Sequence, residues 1–191
     1  MERDEAVRHA WRAQLTGCAP QDLGFLDETS TPLHLTPLRA RAPKGQRALG
    51  RIPRGTRPHV CWIATLTASG LGESLLVNGP MDGRVFVAFV ERVLVPSLLP
   101  GQIVVLDTLS VHKNATALRL IEAAGCTLLF LPPYSPDFNP IEQAFAKAKQ
   151  ALRRRHPRTW EAMNAAIAEV LSAITPTDAR TVFAAAGFPL P

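Results

Sequence analysis

The stretch QIVVLDTLSVHKNATALRLIEAAGCTLLFL, residues 102–131, decides the fold. Its opening QIVVL is nearly all apolar, as expected of a strand covered on both faces, and it ends at Asp107. Residues 115–124 then carry apolar side chains at helical spacing, with Asn114 placed to cap the helix and Gly125 to stop it. TLLFL (127–131) reads as a second buried strand. Strand, helix and strand in immediate succession make an α/β unit.

Working outward, residues 1–20 read as a short helix, with Ala6, Ala10, Trp11 and Leu15 at helical spacing and Gly17 and Pro20 closing it. A strand over 23–26 runs directly into Asp27 and Glu28. Residues 34–42 suggest a second strand, and APKGQRALGRIPRGTRP (42–58) reads as a mobile basic loop because it lacks periodic apolar residues. Strands follow at 60–67 and 74–77, the latter ended by Asn78-Gly79-Pro80, and complete an antiparallel meander. Residues 85–94 form a helix with Phe86, Phe89, Val90 and Val93 on one face. Beyond residue 131, the turn-rich PPYSPDFN leads to a helix starting at Pro140, with Asn139 as its cap. Two amphipathic helices, 160–174 and 178–186, close the chain. The expected fold class is α/β: one mixed sheet, three antiparallel strands followed by parallel ones, flanked by helices.

The 191 residues suit one globular domain, and 47% hydrophobic content excludes intrinsic disorder. No apolar run is long enough to span a bilayer, and the acidic, Arg-bearing start is no signal peptide. Cys18, Cys61 and Cys126 are odd in number and widely spaced, which argues against a disulfide framework or zinc site and for a reducing, cytosolic compartment. The net charge is +5, but it is segregated. Thirteen of the 21 basic residues lie in two stretches without any acid: Arg39, Arg41, Lys44, Arg47, Arg51, Arg54 and Arg57, then Lys147 to Arg158. The remainder is net acidic. Such segregation points to a polyanionic partner.

Three carboxylates fall at element ends, where sheet folds gather functional groups: Asp27, Asp107 and Glu142. An acid directly after the buried QIVVL run is costly unless solvated, paired or metal-bound. Glu142, in the first turn of its helix, also complements the macrodipole. Helical geometry puts Glu142, Lys149 and Arg153 on one stripe within about 40°, beside the buried stripe of Ile141, Phe145, Ala148 and Leu152. A basic track thus leads away from a potential catalytic acid.

The segments LDET (26–29), VVLDTLSVHKN (104–114) and LPPYSPDFNPIEQAFAKAKQ (131–150) resemble the core of DDE-type transposases, specifically the bacterial insertion-sequence relatives of the mariner superfamily. LRARAPKGQR (38–47) is similar to the segment that follows the first acid in that group. The resemblance covers roughly residues 22–160. It implies an RNase H-like fold and a metal-binding triad at Asp27, Asp107 and Glu142. The 34 residues between the last two match members with a terminal Glu. His112 matches the family's usual His, open between a phosphate or carboxylate contact and helix-entry packing. Thr108 departs from the usual Asn, though a hydroxyl can still hydrogen-bond.

What the resemblance implies is cleavage of transposon ends and their transfer into target DNA, with two Mg²⁺ or Mn²⁺ ions suited to hard oxygen ligands. Arg39, Arg41, Lys44, Arg47, Arg51, Arg54, Lys149 and Arg153 would contact DNA, with His112 and Asn139 as auxiliary residues. The expected organisation is a helical lead-in (1–20), a catalytic core (21–158) and C-terminal helices packed on it (159–191). Twenty residues before the core are too few for a helix-turn-helix module. End recognition is therefore expected from a homodimer, an upstream helix-turn-helix protein or a frameshift fusion, in the bacterial cytoplasm at the nucleoid. Two other readings are an RNase H-like nuclease without strand transfer and a non-catalytic DNA-binding remnant. Retention of all three acids weighs against the last. An aromatic content of 6% and an unexplained basic loop discount a glycosidase.

Overall fold

The computed structural model describes residues 3–50 and 59–190. Three strands, β1 (Leu23–Pro32), β2 (His59–Thr67) and β3 (Gly70–Asn78), form the antiparallel meander. Two short strands, β4 (Ile103–Leu106) and β5 (Thr127–Phe130), continue the sheet in parallel, giving the order β3-β2-β1-β4-β5. The helices are α1 (Glu5–Ala13), α2 (Gly83–Phe89), α3 (Ala115–Ala123), α4 (Pro140–Arg155), α5 (Trp160–Ala173) and α6 (Pro176–Ala185).

Each strand projects alternate side chains to opposite faces, so the sheet supports two separate cores. Phe25, Trp62 and Val105 face α4, α5 and α6, meeting Phe145, Ile167 and Phe183. Leu26, Ile63 and Leu106 face α2 and α3, meeting Phe86, Phe89 and Ile121. Phe25 is wholly buried and packs edge-on against Phe183 at 5.4 Å. Burial of a side chain of that size contributes about 1.5–3 kcal/mol. Among the described residues, no helix is long and apolar enough to cross a membrane.

Three local expectations need correction. Residues 34–42 are not a strand. Leu33 and Leu35 do enter the core, which produces the alternation, but Pro37 cannot donate to a ladder and no partner strand is present among the described residues. The basic loop is irregular as far as residue 50, and its remainder, 51–58, lies outside the described residues. The helix expected over 85–94 starts earlier, capped by Asp82, and gives way to a π-helical turn over Val90–Leu94. Pro96 explains this, because it lacks the N–H that a continuing helix would donate to the Arg92 carbonyl. TLLFL is half-buried, because β5 is the sheet edge and pairs only with β4.

Candidate active site

The sheet forks where the acids sit. β1 pairs with β4 in parallel up to Leu26 opposite Leu106, after which β4 ends. Asp27 and Asp107 are the next residues on the two sides of that fork. Asp27 is not after the strand, as expected, but inside it: β1 continues to Pro32, and Asp27 lies opposite Ala64 of β2. Thr29, Ser30 and Thr31 look polar in sequence, yet Thr29 and Thr31 are buried in the strand.

Asp27 is 4% exposed. One carboxylate oxygen accepts the Glu28 N–H at 2.7 Å, and the other accepts from Asn139 Nδ2 at 2.8 Å. Burial, followed by the neighbouring charge of Asp107, pushes its pKa up to about 7, and Glu142 adds to the effect. Asn139 does occupy the cap position of α4, but its side chain makes no capping bond. The amide is engaged with Asp27 instead.

Asp107 is half-buried at the open end of β4. Its Oδ1 accepts the Leu109 N–H at 2.9 Å and a hydrogen bond from His112 Nδ1 at 2.5 Å. Burial would raise its pKa, but the bonds from His112 and Leu109 outweigh it and hold the carboxyl below its ordinary value. His112 is wholly buried, 5.1 Å from the Phe86 ring, and its Nε2 reaches Glu28 Oε2 at 2.5 Å. Burial alone would depress the imidazole pKa. The bonds to Asp107 and Glu28 overcome it and raise it to about 9, so the ring is doubly protonated at neutral pH and donates on both sides. Glu28 is the residue that sequence reasoning passed over as an ordinary strand-end acid. Strand alternation turns it to the face opposite Asp27, toward the His112 turn.

Glu142 is exposed in the first turn of α4. It lines a cleft of about 170 Å³ together with Asp27, Asp107, Thr108, Tyr134 and Asn139. The floor is the segment 132–139, in which Tyr134 adopts a left-handed φ of 55° and a single 3₁₀ turn spans Pro136–Phe138.

The basic residues divide. Arg39, Arg41, Lys44 and Arg47 are exposed on the irregular segment after β1, whereas Arg51 and Arg54 lie outside the described residues. Arg39 and Arg153 line one groove of about 680 Å³ with Lys147 and Arg154. Lys149 is half-buried, and its pKa is lowered by burial, with the Glu142 charge opposing and that of Arg153 reinforcing the shift.

The donor set suits hard divalent cations: three carboxylates on one cleft, one of them with its pKa raised by burial and by the charges of the other two. Among the described residues no three His, Cys, Asp or Glu side chains gather closely enough to share a single ion.

A family model described as DDE superfamily endonuclease matches residues 22–164, three quarters of the chain. The fold is similar to that of a pre-cleavage Mos1 transpososome, with a TM-score of 0.73 and 15% identity, covering 98% of this chain and 64% of that one. It is also similar to a mariner Mos1 paired end complex with Mg, with a TM-score of 0.75 and 16% identity, over 97% of this chain and 62% of that one. The separate catalytic domain of Mos1 mariner transposase aligns at a TM-score of 0.64 and 14% identity, over 97% of this chain and 91% of that domain. This chain thus spans under two thirds of the chains in those complexes, and the shared fold is RNase H-like. No curated protein matches the sequence. On the family match over most of its length, the chain belongs to the DDE superfamily endonucleases.

Proposed function

We propose that the chain is the catalytic domain of a DNA transposase of the bacterial insertion-sequence group related to mariner. It cuts transposon ends and transfers them into target DNA through Asp27, Asp107 and Glu142. The observation that carries this reading is the meeting of those three carboxylates, from β1, the end of β4 and the start of α4, on one cleft. The Mos1 structures, which include complexes with Mg, with Mn and with a transposon end, support the cofactor and the substrate. Residues 21–158 form the catalytic core, 1–20 the lead-in, and 159–191 the helices that complete the core.

Asp107 would hold both ions, Asp27 one and Glu142 the other. When bound, they supply Lewis-acid activation of water or a 3′-OH and stabilise the leaving oxygen of an in-line displacement. The protein's own part is positional. Asn139 fixes the rotamer of Asp27, while His112 neutralises and orients Asp107 from beneath. Arg39, Lys149 and Arg153 contact phosphates along the α4 side, with the remaining cations of 39–54 extending the track. The partners are transposon-end and target DNA, a second copy of the chain, and a helix-turn-helix protein or fused segment for end recognition, at the bacterial nucleoid.

The experiment combines the protein with pre-cut element-end DNA, supercoiled plasmid and Mg²⁺ or Mn²⁺. Joined products that disappear in Asp107→Asn are the expected result. Nicking without joining would instead assign a nuclease, and DNA binding without any cleavage a non-catalytic remnant.

A further inference from the structure

Arg8 is 3% exposed, an unusual position for a guanidinium on a nine-residue helix near the chain start. Its two terminal nitrogens donate to the two carboxylate oxygens of Asp137, at 3.0 and 2.6 Å, across 129 residues of sequence. Such a paired, charge-assisted contact fixes orientation as well as distance. The same guanidinium lies 3.8 Å from the centroid of the Phe138 ring, which also stacks on Trp11 at 5.4 Å. Trp11 is tied down in turn by its Nε1–H, which donates to the Phe130 carbonyl at 2.7 Å. α1 thus grips two consecutive residues of the cleft floor.

The next residue is Asn139, which holds Asp27, and Glu142 follows one turn later. Among the described residues, segment 132–139 has no sheet partner, and its own backbone bonds are those of one 3₁₀ turn, Phe138 to Ser135 and Asn139 to Pro136. Its conformation, including the strained Tyr134, must therefore be imposed by side chains. The chain of contact runs from α1 through Asp137 and Phe138 to Asn139 and then Asp27.

We propose that Arg8 is a positioning residue for the carboxylate cleft: its grip on Asp137 and Phe138 sets the turn that aims Asn139 at Asp27, and so sets the cleft's affinity for divalent cations. The part concerning cations rests on the function proposed above; the part concerning the turn does not.

The test uses the full chain with Arg8→Ala, Arg8→Lys, Asn139→Ala and the Arg8→Ala/Asn139→Ala double variant. Two readouts do not depend on DNA cleavage: Mn²⁺ titration by calorimetry and amide hydrogen exchange. Arg8→Ala should weaken Mn²⁺ binding about tenfold, the size seen when a group orienting a metal ligand is lost. Exchange of the Phe138 and Asn139 amides should rise about tenfold while β2 stays protected. The double variant should bind Mn²⁺ no more weakly than Asn139→Ala alone, because both act through one contact. Arg8→Lys keeps the cation but loses the paired donors, so it shows the same losses in weaker form; it replaces Arg8→Ala if the latter unfolds. Additive losses in the double variant, or unchanged exchange of the Phe138 and Asn139 amides, would overturn the proposal. Wild-type protein that does not bind Mn²⁺ would instead defeat the metal reading of the cleft, with exchange still deciding whether Arg8 sets the turn.

Discussion

Asn139 Nδ2 lies 2.8 Å from Asp27 Oδ2, joining residues 112 apart in sequence at the one α-helix start, among the described residues, whose cap side chain does not cap. The elsewhere comparable Asn114 accepts from Thr116 and Ala117 N–H groups in the usual way. The Asn139 side chain thus caps no backbone donor of α4 and serves the site instead.

Asn139→Ser should separate the two roles. Serine is a good cap and can bond the helix N–H groups, but it is too short to hold Asp27 as the amide does. Stability should stay within about 1 kcal/mol of wild type, the usual worth of a cap. Metal-dependent DNA nicking should fall at least about tenfold. Urea unfolding and a plasmid-nicking assay measure the two effects, and a parallel loss of both would mean that the Asn139–Asp27 bond holds the fold rather than serving the site alone.

His112 carries a prediction about stability. His112→Phe preserves the ring against Phe86 but leaves Glu28 and Asp107 without their shared donor. Removing one partner from a buried ionic network typically costs about 3–5 kcal/mol. Urea unfolding should show a loss near that range at neutral pH. Glu28→Gln should cost less, because the amide oxygen still accepts from Nε2–H. Equal losses for the two variants would contradict the bridging role.

These pairs explain what could be read from the sequence and what could not. The order of elements was legible because the QIVVL and TLLFL runs and the Pro140 helix carry strong local patterns. That Asp107 and Glu142 would meet in one crevice followed from their places at the ends of β4 and α4, whereas Asp27 reaches it from within β1. The length of β1 was hidden by Thr29, Ser30 and Thr31, whose hydroxyls mask a half-buried strand. With that length unknown, the face of Glu28 was unknown too, and so was its bond to His112. Arg8 and Asp137 have no local signature at all, because a contact across 129 residues is decided only when α1 docks.

That same pair predicts a pH dependence. The hydrogen bond from Arg8 holds the Asp137 carboxyl below its ordinary value. A carboxyl with a lowered folded-state pKa contributes stability that is present above its unfolded pKa, roughly 3.9, and is lost as pH falls through the folded value. Asp137→Asn should therefore be less stable than wild type at pH 7, with the gap narrowing below about pH 4. Denaturation midpoints across that range measure it, and a gap independent of pH would assign the loss to packing alone.

The end of α4 offers a stabilising change. His156 holds a left-handed φ of 51° after the last turn, where its N–H bonds to the Leu152 carbonyl, and its side chain is exposed. Glycine adopts this conformation without steric cost. His156→Gly should raise stability by about 1 kcal/mol, read as a higher denaturation midpoint with an unchanged slope.

The cations of α4 are not equivalent toward DNA. Lys147 pairs with Asp178 and Arg155 with Glu169, so both are already engaged within the fold. Lys149 and Arg153 have no ion pair among the described residues and lie on the stripe that begins at Glu142. Each phosphate contact releases counterions and adds about one to the slope of log affinity against log salt. Lys149→Ala and Arg153→Ala should each lower that slope by about one, whereas Lys147→Ala and Arg155→Ala should leave it nearly unchanged. Binding of a labelled duplex titrated at several salt concentrations distinguishes them. Equal slope changes for all four variants would mean that DNA reads the net charge of the helix rather than a track leading from the cleft.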